Sequence, residues 1–588
     1  MTAFVRDLPF GATLLGEDRT RFRLWAPAQQ SVSVEIEAGK AWPMHRHSGG
    51  WFETEVACGA GARYRYRLGS GFVVPDPASR AQSNDVHDPS IVIDARAYRW
   101  RHPEWCGRPW HETVLYELHA GLLGGFAGVQ AELSKLKQLG ITAVELMPIN
   151  DFPGLRNWGY DGVLPFAPDH AYGSPDDLKA LVDTAHEQGL MIFLDVVYNH
   201  FGPDGNYLAS YAPQVFRDDV KTPWGPAIDF RNAEVRRFFT ENALYWLMEY
   251  RFDGLRFDAV HAITEVDWLD EMAAQVHATV EPGRHVHLVL EHDGNVADHL
   301  RRDFDAQWND DAHHVLHVML TGEHEGYYAD YVERPAERLA RVLAEGFVYQ
   351  GEPSPHRKGE RRGTPSTDLP PQAFVLFIQN HDQIGNRAFG ERLTALVDPR
   401  ALEAAIALQL LCPQIPLIFM GEEEASTTPF QFFTDHHGKL ADAVREGRRR
   451  EFASFAAFRD PQRRASIPDP NAAITFEQSR PAPDATLGSS RRDLYRCLLD
   501  KRRERIVPRL DGARALDAKV IGEAAVLARW RMSDGTILTI ATNLGPASCP
   551  FAAPSGELLF ATGQSAASAQ NGQLEGHTTV AFLETSRG

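Results

Sequence analysis

Three acidic residues, Asp258, Glu291 and Asp382, each close a short apolar run, and two carboxylates flanking an acetal oxygen suffice to hydrolyse a glycosidic bond. One would attack the anomeric carbon and the other would protonate the departing oxygen. In a retaining reaction the pair stands about 5–5.5 Å apart, a spacing within reach of neighbouring strands about 4.8 Å apart. Arg256 lies two residues before Asp258 in Phe252-Asp-Gly-Leu-Arg-Phe-Asp258, so Asp258 is expected to stay ionised as a nucleophile must. Glu291, at the end of His287-Leu-Val-Leu-Glu291, has no fixed cation beside it in sequence and is expected to hold a proton as general acid. Taken alone, Arg256 and Asp258 read equally well as a structural ion pair. Two further runs end alike, one on Asn199-His200 and one on His381-Asp382, and that repetition favours chemistry.

Apolar strands that deliver acids and imidazoles at their C-terminal ends describe the mouth of a parallel barrel. Eight strand candidates occur between about 113 and 505: Val114 to His119, Ile141 to Met147, Met191 to Val197, Gly254 to Asp258, His287 to Glu291, Asp305 to Trp308, Phe374 to Gln379 and Pro416 to Met420. Helical stretches such as Ser174 to Gln188 and Glu234 to Tyr250 alternate with them, which predicts an α/β fold, a (β/α)8 TIM barrel. The barrel is preceded by alternating strands such as Thr20-Arg-Phe-Arg-Leu-Trp25 and Gly61-Ala-Arg-Tyr-Arg-Tyr-Arg-Leu68, an N-terminal β-sandwich. In it Trp25, Tyr64 and Tyr66 read as packing rather than as a sugar platform. Strand patterns return at Ala525 to Arg531, Thr536 to Thr542 and Thr578 to Phe582, a C-terminal antiparallel β domain. The expected division is 1–100, 101–505 and 510–588, with an excursion at 201–231 over the barrel mouth. A second irregular segment, Gln350 to Pro371, reads as a mobile flap or a solvated connector.

A net charge of −19 over 588 residues argues against nucleic acid and is indifferent to a neutral sugar. No run reaches the roughly 18 apolar residues of a spanning helix, so no membrane partner is expected. Five cysteines without a C-x-x-C pair, and a start lacking a signal-peptide pattern, point to a reducing, cytoplasmic setting. Metal hydrolysis is the competing chemistry: His313-His314 and Asn309-Asp310-Asp311 are ligand types, yet no tight ligand spacing accompanies them. No Gly-rich phosphate loop follows any strand. Neither a metal nor another cofactor is expected.

Four short segments in this order, Asp195-Val-Val-Tyr-Asn-His200, Gly254-Leu-Arg-Phe-Asp258, Glu291 and Asn380-His-Asp382, resemble the signature regions of the α-amylase superfamily of glycoside hydrolases. The resemblance implies Asp258 as nucleophile, Glu291 as acid/base and Asp382 as the carboxylate that holds the sugar at the cleavage subsite. It implies Arg256, His200 and His381 as their partners, Asp195 and Asn199 as members of the first region, and Tyr160 of Trp158-Gly-Tyr-Asp161 as a stacking residue. Within the superfamily the chain is similar to the trehalose-releasing trehalohydrolase branch. Carrying that likeness are Tyr116-Glu-Leu-His119, Trp308-Asn-Asp-Asp-Ala-His-His314, Gln379-Asn-His-Asp-Gln-Ile-Gly-Asn-Arg387 and Pro429-Phe-Gln-Phe-Phe-Thr-Asp435. It implies an oligosaccharide substrate, maltooligosyl trehalose, cut at the α-1,4 bond next to its terminal trehalose. Gln383, Arg387, Trp224, Asp229 and Phe432, with Phe216 and Phe433, are candidates to line the substrate pocket. After His119 the branch commonly has Val-Gly-Thr-Phe, whereas this chain has Ala120-Gly-Leu-Leu-Gly-Gly125. A branching or debranching α-glucan enzyme, and a silent glucan-binding protein on the same barrel, are the alternatives.

Overall fold

The computed structural model describes residues 3–37, 39–222, 224–563 and 572–584. Eight parallel strands close a barrel: β1 (Leu115–Leu118), β2 (Ala143–Leu146), β3 (Met191–Val196), β4 (Gly254–Phe257), β5 (His287–Leu290), β6 (Ala306–Trp308), β7 (Phe374–Leu376) and β8 (Ile415–Phe419). Every residue of these strands is buried, as strands covered on both faces must be. The interior is filled by side chains including Leu115, Met191, Phe193, Val289, Trp308 and Phe377. Gly254 makes room for this filling, because a Cβ there would lie 2.1 Å from the Phe193 ring.

Helices Gly125–Leu139, Pro175–Glu187, Ala233–Met248 and Asp267–Thr279 link the first five strands in turn. The sequence pattern shows where they start: Ser174 and Asp177 form a capping box, and Asn232 caps the third helix through Glu234 N–H. The regular alternation lapses once. Between β5 and β6 the described residues hold only a 3-10 turn, His299–Arg301, so the connection is shorter than a full β/α unit.

The N-terminal sandwich pairs Gly11–Leu14, Thr20–Trp25, Trp51–Val56 and His45–Arg46 in one sheet. Lys40–Pro43, Val32–Ile36, Arg63–Leu68 and Val73–Val74 form the other, with Ser90–Ile91 added beside Arg63–Leu68. Tyr64 and Tyr66 point inward, and their hydroxyls donate to Asp76 Oδ2 at 2.7 and 3.2 Å. Burial outweighs these hydrogen bonds and lifts the Asp76 pKa to about 6. The C-terminal sheet runs Arg514–Gly522, Ala525–Arg531, Ile537–Asn543, Thr578–Glu584, Glu557–Ala561 and is antiparallel throughout. It is tied to the barrel by Thr579 Oγ1 donating to Ala404 O at 2.7 Å and Trp530 Nε1 donating to Leu343 O at 3.2 Å. We propose 1–100, 101–505 and 510–588 as the domain division, whose outer ends, 1 and 588, lie outside the described residues.

Residues 201–231 fold as two 3-10 turns and a hairpin, Phe216–Thr222 with Gly225–Ile228. The segment 350–371 pairs Glu352–Pro353 with Arg361–Arg362 and is clamped through Arg362, whose guanidinium bonds Asp311 Oδ1 at 2.8 Å and the Asp293 carbonyl at 2.7 Å. Arg362 anchors it, while most side chains from 355 to 361 are exposed, as a solvated connector would have them. Among the described residues no helix is long and apolar enough to cross a membrane, and the five cysteines are unpaired.

Candidate active site

Strand register brings the acids together. Phe257 of β4 pairs with Leu290 of β5, so the next residues along each strand, Asp258 and Glu291, leave the barrel side by side. Both carboxylates, with Asp382, line one cleft of about 570 Å³ at the strand C-termini. That volume lies in the usual range for small-ligand sites. Asp382 arrives from the first turn of a short helix, His381–Gly385, capped by Asn380, whose side chain accepts from Gln383 N. Asn386 Nδ2 donates to Asp382 Oδ1 at 2.7 Å and fixes its rotamer.

Arg256 is the hub. Its Nη1 donates to Asp195 at 2.8 and 2.9 Å and to Asp258 Oδ1 at 2.9 Å, and its Nη2 lies 2.8 Å from Glu291 Oε2. The guanidinium also lies over the Trp308 ring at 4.2 Å, which restricts it further. The cation that the sequence does not place beside Glu291 comes from the adjacent strand. Asn199 Nδ2 donates to Asp258 Oδ2 at 2.7 Å, and Ala259 N–H donates to Glu291 Oε2 at 2.8 Å. Ala259 holds φ +41, a left-handed conformation that costs energy for a residue with a Cβ and turns its N–H towards Glu291.

These surroundings drive the two carboxyl groups in opposite directions. Burial pushes Asp258 up, but Arg256, His200 and the Asn199 amide together outweigh it and hold its pKa below the ordinary carboxylate value. Burial lifts Glu291 well above its ordinary value; Arg256 opposes the shift, while Asp258, Asp310 and Asp382 reinforce it. Burial also raises Asp382, against the pull of His381 and Arg256. An ionised group beside a protonated one is the pairing that an attacking carboxylate and a proton donor require.

His381 and Tyr160 extend the network. Tyr160 Oη donates to Asp195 Oδ2 at 2.6 Å and lies 2.8 Å from His381 Nε2, while His381 Nδ1 pairs with the buried Glu117. Both ring nitrogens of His381 thus face oxygens. Burial disfavours its charge, but Glu117 and Asp382 outweigh burial and raise its pKa. His200 Nε2 lies 2.9 Å from the Tyr160 carbonyl and Nδ1 pairs with Asn199 Oδ1.

Of the candidates from sequence, Tyr160, His200, Trp224, Arg256, Asp258, Glu291, His381, Asp382, Gln383 and Phe432 line the cleft. Asp195 and Asn199 stand behind it and hold Arg256 and Asp258. Asp229 and Arg387 are not lining residues: Asp229 is bound by Arg231 at 2.7 Å, and Arg387 pairs with Glu323 at 2.7 Å and Glu391 at 3.2 Å. Phe433 is buried against His119, and Phe216 packs on Phe201. The altered loop after His119 becomes a 3-10 turn, Gly121–Leu123, whose Leu122 N–H donates to His119 Nδ1 at 3.1 Å.

The far wall of the cleft was not among the candidate site residues. His261, Asp293, Asp310, His314, Tyr327, Tyr331, His356, Arg357 and Arg362 contribute to it. Asp310 and His314 carried a signal, but as metal ligands. Their neighbours are committed elsewhere: Asp311 accepts from Arg362, Asn295, Tyr331 and two backbone N–H groups, and His313 bonds the Ile378 carbonyl at 2.7 Å. Hydrolysis by a metal held there would have to break those bonds.

Comparison with known proteins places the chain in a family. Residues 77–218 match the family model described as alpha amylase, catalytic domain. Residues 9–90 match carbohydrate-binding module 48 (isoamylase N-terminal domain), and 513–581 match a domain of unknown function, DUF3459. The chain is 42% identical over 480 residues to the malto-oligosyltrehalose trehalohydrolase of Deinococcus radiodurans, covering 80% of this chain and 78% of that protein. It is 36% identical over 580 residues to the enzyme of the same name from Arthrobacter ramosus, covering 95% and 98%. A crystal structure of a putative alpha amylase from Salmonella typhimurium superposes with a TM-score of 0.92 at 43% identity, covering 99% of this chain and 100% of that one.

Proposed function

The chain belongs to the malto-oligosyltrehalose trehalohydrolase family, and from that premise we propose how its cleft works and on what. It is a glycoside hydrolase that releases trehalose. Asp258 attacks the anomeric carbon of the glucose preceding the terminal trehalose, while Glu291 protonates the departing 4-oxygen. The α-1,4 bond breaks, trehalose leaves, and the remaining glucan is held on Asp258 as an ester. Glu291, now ionised, takes a proton from water, which attacks the same carbon, frees the glucan and restores both groups. Asp382 and His381 bind hydroxyls of the reacting glucose, and Tyr160 supports its face.

The observation that carries this reading is the single guanidinium of Arg256 between Asp258 and Glu291. It ties both carboxyl groups to one cation, and their surroundings push the two pKa values apart, Asp258 down and Glu291 up, as a nucleophile and a proton donor require. The substrate is maltooligosyl trehalose. We place the enzyme in the cytoplasm, where five unpaired thiols are at home.

The test is the product profile on maltooligosyl trehalose set beside plain maltooligosaccharide. Free trehalose with a shortened glucan from the first, and little reaction with the second, is the expected result. New α-1,6 bonds without trehalose would make it a branching enzyme, and binding without turnover would make it a glucan-binding protein.

A further inference from the structure

The strand pair Asn150–Asp151 and Leu164–Pro168 closes the base of the loop that carries Trp158 and Tyr160 into the cleft. At this base Asp151, Asp169 and His170 each bring a ligand-type atom within 4.8 Å of the others. Asp151 is fully buried, yet neither of its carboxylate oxygens has a hydrogen-bond partner among the described residues. The buried Nδ1 of His170 also lacks one and lies 3.8 Å from Asp169 Oδ1. Asp169, likewise fully buried, accepts from Phe152 N at 3.1 Å and Ala171 N at 2.8 Å. The charges acting on Asp151 are those of Asp169 and Asp85, both negative.

Ordinary packing does not leave such a group. More than about nine in ten buried polar groups find a partner, and a second buried carboxylate alongside adds a further desolvation cost. Burial raises Asp151 and Asp169, the latter to about 8, so the cluster demands positive charge in some form, a proton or a metal. Two carboxylates and an imidazole on one point are a donor set for a borderline divalent ion. Calcium and magnesium favour cages of oxygen.

We propose that Asp151, Asp169 and His170 bind one divalent cation of the Zn2+ or Mn2+ kind, which pins together the two ends of the loop that presents Tyr160. The ion is structural: it lies behind the loop and takes no part in bond cleavage.

The test uses the full chain, stripped with chelator and re-equilibrated by dialysis against Zn2+ or Mn2+, with bound metal measured by elemental analysis. One equivalent of bound metal and a rise in melting temperature of about 3 °C or more at saturation are expected. Asp151→Asn should abolish both while melting no lower than the stripped parent, because it removes one of two adjacent buried carboxylates. Should that variant fail to fold, His170→Gln, at a partly exposed position, should weaken metal binding at least tenfold. No bound metal and no thermal shift in the parent would overturn the proposal and leave a shared proton as the answer. Equal binding by parent and both variants would overturn it as well, and so would stabilisation by Ca2+ or Mg2+ alone. None of these readouts depends on trehalose release, so they stand or fall apart from the assigned reaction.

Discussion

Nη2 of Arg256 lies 2.8 Å from Oε2 of Glu291, although the two residues belong to different strands and lie 35 positions apart. A cation so close would ordinarily keep a carboxylate ionised. Here burial and three neighbouring acids overcome it and hold the Glu291 pKa above its ordinary range.

The pH dependence follows with a definite sign. Turnover needs Asp258 ionised and Glu291 protonated, so kcat/KM should be bell-shaped. Its acid limb falls below the ordinary Asp value, because Asp258 is lowered, and its alkaline limb falls above the ordinary Glu value, because Glu291 is raised. Glu291→Gln should lose about 10²–10⁴-fold in kcat on maltooligosyl trehalose and abolish the alkaline limb. On a substrate whose leaving group needs no proton, the loss should be far smaller. Stability moves the other way. A group whose folded pKa exceeds its unfolded value gives most stability below the unfolded value and loses it as pH rises, so the variant should melt higher than the parent near pH 7 and not near pH 4. An alkaline limb that survives the substitution would remove Glu291 from the acid role.

Asp258→Asn keeps the shape and one acceptor oxygen but takes away the attacking anion. The loss in kcat should be about 10⁴-fold or more. Substrate binding should persist, since Asp382, His381 and Tyr160 are untouched, and calorimetric titration with maltooligosyl trehalose can show it. A variant with more than about a tenth of parental kcat would overturn the assignment.

The sequence pattern shows more of the fold than of the site, and the reason is periodicity. All eight barrel strands stand where buried apolar runs predict them, because runs such as Met191 to Val196 have no other stable place than a sheet covered on both faces. The acids at strand ends were legible for the same reason. The Arg256–Glu291 contact was not, since sequence shows that Arg256 precedes Asp258 by two but not which strand stands beside it. Asp229 misleads because Arg231, two residues on, already satisfies its carboxylate. The wall built by His356, Arg357 and Arg362 comes from a segment without helical or strand period, and no pattern marks which of its side chains turn inward.

Trp224 is an exposed aromatic at the cleft, and its proposed part in binding substrate can be separated from any part in the fold. It caps the hairpin over the mouth, is 46% exposed, and stacks on His200 with ring centroids 5.0 Å apart at 13°. Trp224→Ala should lower kcat/KM by about 3- to 10-fold, in line with the ~0.5–1.5 kcal/mol of a stacking contact. Melting temperature should stay within about 1 °C of the parent. Unchanged kinetics would leave Trp224 as surface only.

Arg362 separates packing from chemistry on the opposite wall. Its guanidinium is the countercharge of the fully buried Asp311, whose other partners, Asn295, Tyr331 and the Val348 and Tyr349 amides, are neutral. Arg362→Ala therefore strands a buried charge, at a cost of about 3–5 kcal/mol, and should lower the melting temperature by ~2–4 °C in a chain of this length. Because Asp311 is the group left stranded, adding Asp311→Asn should recover part of that loss, and a double-mutant cycle measures the coupling. Kinetically, the segment 350–371 would loosen at its anchor while Asp258 and Glu291 keep their own contacts with Arg256. KM for maltooligosyl trehalose should rise more than kcat falls. A fall in kcat at unchanged KM would instead make Arg362 part of the reacting centre, and additive effects of the two substitutions would show that Asp311 does not depend on it.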